Sequence, residues 1–301
     1  MDEGRMTRKS LFDGPGVRVA GQQKSWLSAL FLPYARSRQM ENGAYSSWRY
    51  MDEGLASVKD TFWALRIYEN LLSVAPESDR TRQWLDTGLE ETWAGGDMEN
   101  LFYALFSRRM LQQPWPKVEG WLKQSSSWFL TENSEDQHMG GGIRECLLWL
   151  QIESKNAVRL DEIRDRIGKY VENCYKSFLH NRVILDLPTY GALIESLFET
   201  DKPLTDGGEW LGPYRDDITG YRLTPDSRTG SMETLWWGVW LDQRFSGKNM
   251  PDPKKLGMLL DSYRTRNGGY GPRPGAIPDL ESTGMALDIL LWSGAREDNQ
   301  N

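Results

Sequence analysis

The chain has 301 residues, 39% hydrophobic and 26% charged, with a net charge of −7 at neutral pH. That balance suits a soluble globular protein and excludes a disordered one. No run of about 18 apolar residues is present to span a bilayer, and a mixed-sign acidic surface disfavours a general nucleic-acid binder. Two cysteines, Cys146 and Cys174, with two histidines, His138 and His180, give neither a disulfide framework nor a ready zinc site, so a reducing cytoplasm and no zinc are expected. Fourteen tryptophans imply either a large aromatic core or an aromatic-lined cavity.

Residues 1–21 carry mixed charge and no continuous apolar stretch, so they read as a tail and not as a secretory signal. A single domain is expected over 22–293, followed by a second tail at 294–301. The first amphipathic stretch, "QQKSWLSALFLPYARSRQ", leads through a glycine turn at Gly43 to an apolar helix opening at "KDTFWAL". The pattern then recurs. "DRTRQWLDTGLEETW" precedes "ENLFYAL" across the glycines at 95–96, and "KVEGWLKQSSSWFL" precedes "RECLLWL" across those at 140–142. "LDEIRDRIGKYVENCYKSFL" precedes "LPTYGAL", a short and poorly formed partner around "GGEWLGPYRDDI" precedes "METLWWG", and "DPKKLGMLLDSYRTR" precedes "ESTGMAL" across Gly268–Gly269. Aligned on Thr61, Leu101, Cys146, Thr189, Thr234 and Thr283, the openings lie 40 to 49 residues apart and define six units.

In each unit the first helix is apolar on one face and the second nearly all round. A helix apolar on every side needs burial on every side, whereas an amphipathic one can face water. The expected architecture is therefore all-α: an α/α toroid of six helical hairpins in two concentric rings, with parallel inner helices bringing their N-termini to one mouth. An open solenoid uses the same repeat logic and is the competing geometry. Each opening carries an acid (Asp60, Glu99, Glu145, Asp186, Glu233, Glu281), which helix capping and the macrodipole favour whatever the function.

At "NGGYGPRPGAIPDLESTGMALDIL" and "GAYSSWRYMDEGLASVKDTFWALRIYENL" the chain resembles the repeats of the protein prenyltransferase β-subunits and of the squalene–hopene and class II terpene cyclases. The resemblance covers about residues 42–293 and is strongest in units one and six. It implies the toroid and, with it, an isoprenoid small molecule as substrate. The prenyltransferase branch implies a zinc ligand set, but the aligned positions here are Gly230, Met232 and Ser282, so zinc chemistry is not expected. The cyclase branch implies an acid motif in which the middle carboxylic acid protonates an alkene. Unit six offers Asp279-Leu280-Glu281-Ser282-Thr283, with Glu281 in the donor position and Asp279 beside it, and unit one has Lys59 there. Burial beside another carboxylate would raise one pKa while its partner stays ionised.

Under that resemblance the aromatic residues of the inner helices, Phe62, Trp63, Phe102, Tyr103, Trp149, Tyr190, Trp236 and Trp237, become candidates to line a substrate cavity and stabilise cationic intermediates. The same rings also serve simply to fill the space between two helix layers. Arg266 and Arg273, in the loop before unit six, are candidates to hold a diphosphate, with Mg²⁺ as a possible companion of such a substrate. Two further functions suit the same scaffold: a carbohydrate-active toroid using rim carboxylates and stacking tryptophans, and a non-catalytic toroid that binds a lipid or a protein.

Overall fold

A computed structural model describes residues 21–48, 56–94, 97–129, 139–155, 160–181, 184–202, 209–246 and 251–294. The expected tails lie outside these residues apart from Gly21 and Gly294, which begin the first helix and cap the last; His138 lies outside them too. In chain order the helices are α1 (Gly21–Ser37), α2 (Val58–Asn70), α3 (Ser78–Ala94), α4 (Met98–Met110), α5 (Glu119–Phe129) and α6 (Met139–Lys155). They continue as α7 (Asp161–Asn181), α8 (Leu187–Glu199), α9 (Met232–Leu241), α10 (Pro253–Tyr263) and α11 (Leu280–Ser293). Between α8 and α9 lie a 3₁₀ turn, Glu209–Tyr214, and two short antiparallel strands, β1 (Arg215–Asp216) and β2 (Gly220–Tyr221). The described protein is thus all-α apart from this small pair.

Local sequence explains where α2, α4, α8, α9 and α11 start. Ser57, Asp97, Asp186, Ser231 and Asp279 are N-caps whose side chains accept backbone N–H groups of the first turn, and Ser231 and Thr234 make a reciprocal capping box. The Tyr…Thr signature of the repeat has an equally direct cause. Tyr45 N–H donates to Thr61 Oγ1 at 3.1 Å in unit one, and Tyr270 N–H donates to Thr283 Oγ1 at 3.0 Å in unit six. A buried turn amide needs an acceptor, and the threonine inside the helix supplies it. Gly43 and Gly268 take the left-handed φ of these turns, +86° and +88°.

The six helices α2, α4, α6, α8, α9 and α11 each pack on the next, and α11 packs on α2, so the order of contacts returns to its start. Outside them α1 packs on α2 and α11, α3 on α4, α5 on α6, α7 on α8 and α10 on α11. The inner members are apolar all round because they are wedged between neighbours on every side: Leu187–Leu197 of α8 and Ser282–Trp292 of α11 are buried without interruption.

Two expectations change. Unit five has no outer helix among the described residues; the 3₁₀ turn and β2 lie against α9 instead, so the hairpins are five and not six. Gly212 and Pro213 interrupt that segment, and Pro within a helix removes a backbone donor. Tyr221 fills the place a helix would occupy: it is fully buried, and its hydroxyl and the Arg215 guanidinium both donate to the buried carboxylate of Asp242. The glycines at 140–142 belong to the first turn of α6 and not to a turn before it, because packing of α6 on α7 overrides their weak helix propensity.

The first and last inner helices are joined by buried polar groups. Asp288 of α11 is fully buried and accepts from Arg66 Nε at 2.9 Å, Trp236 Nε1 at 3.0 Å and Asn70 Nδ2 at 2.7 Å. Arg66 is itself 2% exposed, with Nη2 at 2.8 Å from the same carboxylate. Nearer the helix starts, Ser47 donates to Asp60 at 2.6 Å and accepts the Leu280 N–H at 3.0 Å, which ties unit one to the first residue of α11. Removing one partner strands a buried charge. Asp288→Ala is therefore expected to lower stability by about 3–5 kcal/mol, whereas the Arg66→Met/Asp288→Leu pair should recover much of the loss in urea denaturation.

Candidate functional site

A cavity of about 310 Å³ opens where the inner helices begin. Its walls are Trp63, Tyr103, Leu147, Leu148, Ala192, Trp236, Trp237 and Met285. Its rim is polar: Lys59, Asp97, Glu99, Arg144, Glu145, Glu233 and Glu281. The polar residues come from the starts of α2, α4, α9 and α11 and from the second turn of α6, so the N-termini of the first four converge on one opening.

Repeat geometry explains the division between wall and rim. Two residues before the aligned position stand Lys59, Glu99, Arg144 and Glu281 in units one, two, three and six; two residues after it stand Trp63, Tyr103, Leu148, Trp236 and Met285 in units one, two, three, five and six. Positions four apart share one helix face, so in α2, α4, α6 and α11 one stripe faces inward, polar at the earlier position and apolar at the later. Helical glycines hold two of the tryptophans in the wall. A Cβ at Gly284 of α11 would lie 2.5 Å from Trp63 Cε3, and one at Gly191 of α8 would lie 2.4 Å from Trp237 Cε3. Trp236 meets Trp63 edge-on at 6.1 Å and Trp237 edge-on at 5.3 Å between centroids, a favourable arrangement of ring quadrupoles.

The rim carries an internal ion-pair bridge. Lys59 Nζ lies 2.9 Å from Glu281 Oε1 and 3.3 Å from Glu99 Oε1, and 5.8 Å above the Tyr103 ring. Burial pulls the ammonium down, but Glu281 and Glu99 more than offset this and its pKa lies above the ordinary value. Burial pushes the Glu281 carboxyl up to about 7; Lys59 opposes the rise, and Asp279 and Glu233 add to it. Glu233 and Glu145 are also raised, mainly by burial. Arg144 spans the opposite side at 3.6 Å from Glu233 and 3.4 Å from Asp186.

The candidate residues separate into two groups. Trp63, Tyr103, Trp236, Trp237 and Glu281 come together at the cavity. Phe62, Phe102, Trp149 and Tyr190 are buried but pack away from it: Phe102 on Phe106, Trp149 with its indole N–H on Leu122 O of α5, and Tyr190 against Tyr214 and Phe178. Asp279 does not line the cavity. It is the N-cap of α11, accepting the Ser282 N–H at 2.6 Å, and so it positions Glu281 one turn on. Arg266 and Arg273 are exposed in the loop before α11 and do not line the cavity either. Sequence reasoning missed Lys59, Arg144 and Met285 as lining residues, and it named Glu99, Glu145 and Glu233 as helix-start acids and rim carboxylates without placing them at this cavity.

Among the described residues no group of three or more His, Cys, Asp or Glu is arranged to hold a metal ion. Cys146 and Cys174 are buried free thiols. No described helix is long and apolar enough to cross a membrane. Comparison with known protein families, with characterised proteins and with solved structures finds no match to this chain.

Two measurements bear on this geometry. With the Glu281 carboxyl raised from 4.5 to about 7, the folded chain keeps a proton that the unfolded chain has released, so stability falls as pH rises from 4.5 to 7 and then levels. Glu281→Gln should flatten that fall, and the Glu281 side-chain ¹³C resonance should titrate near pH 7. Gly284→Ala should displace Trp63 and destabilise by about 1–3 kcal/mol, seen as a lower urea midpoint with altered tryptophan emission.

Proposed function

We propose that the chain is a closed α/α toroid and an isoprenoid-binding enzyme resembling the terpene cyclases. The observation that carries this reading is the aromatic cavity with Glu281 at its rim, held near half-protonation at neutral pH by burial. The return of helix contacts from α11 to α2 supports the closed ring.

The chemistry follows from the residues. A polyprenyl chain folds against Trp63, Tyr103, Trp236 and Trp237, losing contact with water as it enters. The neutral carboxyl of Glu281 gives its proton to an alkene carbon; the C=C π pair forms the new C–H bond and leaves a carbocation on the neighbouring carbon. Lys59 then pairs with the carboxylate left behind, and the ring faces stabilise the cation, each contact by about 0.5–2 kcal/mol. A neighbouring alkene closes the ring, and loss of a proton to a rim carboxylate ends the sequence. Asp279 caps α11 and, through its charge, helps to raise the Glu281 carboxyl. With acids dominating the rim and Arg266 and Arg273 outside it, a neutral polyene suits the site better than a diphosphate.

One observation favours a non-catalytic binding role instead. The 2.9 Å pairing of Glu281 with Lys59 stabilises the ionised carboxylate, which cannot donate a proton. Incubation with neutral polyprenes and with geranyl, farnesyl and geranylgeranyl diphosphates, followed by mass spectrometry of the extract, separates the two roles. Cyclisation by the native chain, reduced about 10²-fold or more in Glu281→Gln, is expected. A product that survives the substitution unchanged removes Glu281 as the acid, and no product from any substrate favours binding alone.

A further inference from the structure

Charge at the cavity mouth is unbalanced. Five carboxylates (Asp97, Glu99, Glu145, Glu233 and Glu281) face two cations, Lys59 and Arg144. Below them the wall is tryptophan and tyrosine, whose ring faces carry negative quadrupole and attract cations. An anionic head group entering this mouth meets repulsion, and a cationic one meets carboxylates and π-faces together.

The chain supplies its own demonstration of that chemistry. Lys59 places an ammonium between Glu281 and Glu99 and above the Tyr103 ring, and its pKa rises because these carboxylates outweigh the cost of burial. On the far side, Glu233 shares Arg144 with Asp186, Glu145 also lines the cavity, and Trp236 and Trp237 complete that wall, with no second lysine among the lining residues. Trp63 lines the cavity although it is only 1% exposed, so its ring is held rigidly in the wall.

We propose that the cavity takes an organic cation, an apolar body seated on Trp63, Trp236 and Trp237 with an ammonium head among Glu145, Glu233 and Glu281. The inference rests on the cavity being a ligand site, as the proposed function does, but not on the cyclisation chemistry. It names the head group that ligand carries: an amine in place of a diphosphate. The volume of about 310 Å³ limits the buried part to a small ring system or a short branched chain.

The test uses the full chain and three probes, read by quenching of tryptophan fluorescence and by calorimetry: benzyltrimethylammonium, its uncharged isostere neopentylbenzene, and geranyl diphosphate. The cation is expected to bind about tenfold or more tightly than the isostere, and more tightly than the diphosphate. Glu145→Gln/Glu233→Gln should weaken the cation and leave the isostere unchanged. Lys59→Met, which removes the tethered ammonium, should strengthen the cation alone. Thermal unfolding of each variant checks that it is folded. Equal affinity for cation and isostere, or tighter binding of the diphosphate, overturns the choice of head group while leaving a cyclase of neutral polyenes standing. Binding of none of the three overturns both this inference and the reading of the cavity as a ligand site.

Discussion

The fold turns on the buried contact between Arg66 and Asp288. These residues stand 222 positions apart, on the first and the last of the inner helices. Two charges in a dry interior are costly unless their remaining hydrogen-bonding capacity is used. Here it is used: Asn70 occupies the second carboxylate oxygen and the Trp236 indole shares the first. Because Trp236 is also a wall of the cavity, the same network that joins the ends of the helix series fixes one face of that cavity. A purely apolar seam would bury as well, yet it would leave the register of α11 against α2 and α9 less sharply defined.

A second polar cluster sits between α8 and the end of α9, where fully buried Glu195 accepts from Trp240 Nε1 at 2.5 Å and lies 3.1 Å from Arg244 Nε. Arg244 in turn lies over the Phe198 ring at 4.2 Å. Burial raises the Glu195 carboxyl to about 7 despite the opposing charge of Arg244. The inner helices are therefore layered along their length. Lys59 and the rim carboxylates lie nearest the mouth, aromatic rings come next, and the ion pairs Arg66–Asp288 and Glu195–Arg244 lie further along the helices. An apolar molecule entering from the mouth passes a charged rim and meets a wall of rings, with the deeper charges already paired.

Much of this was legible before the structure. The repeat period rests on backbone requirements, the Tyr45–Thr61 and Tyr270–Thr283 hydrogen bonds, and such requirements leave the same residues at the same spacing. Unit five was legible only as a weak outer partner, since no pattern announces that Tyr221 will replace a helix. In the site, aromatic content located the cavity but did not say which rings face it. Phe62 and Trp63 are neighbours in sequence, yet 100° of helical rotation sends one into the core and the other to the wall. The inward stripe was available from the alignment itself, two residues either side of each Thr61 equivalent, and it includes Lys59. That lysine was read as the loss of an acid; its ammonium is the partner of the acid that remains, contributed by a helix more than 200 residues away in sequence. Asp279 serves two ends, capping α11 with its side chain and raising the Glu281 carboxyl with its charge, from outside the cavity lining.

Xenon is an apolar sphere that enters cavities and scatters strongly, so a crystal of the full chain pressurised with the gas tests the central claim most directly. A ring closed by Arg66 and Asp288 around an open aromatic cavity requires a xenon atom bounded by Trp63, Trp236, Trp237 and Met285, with α11 still packed on α2. Side chains meeting across that space and excluding the gas, or α11 standing apart from α2 in an open superhelix, would contradict it.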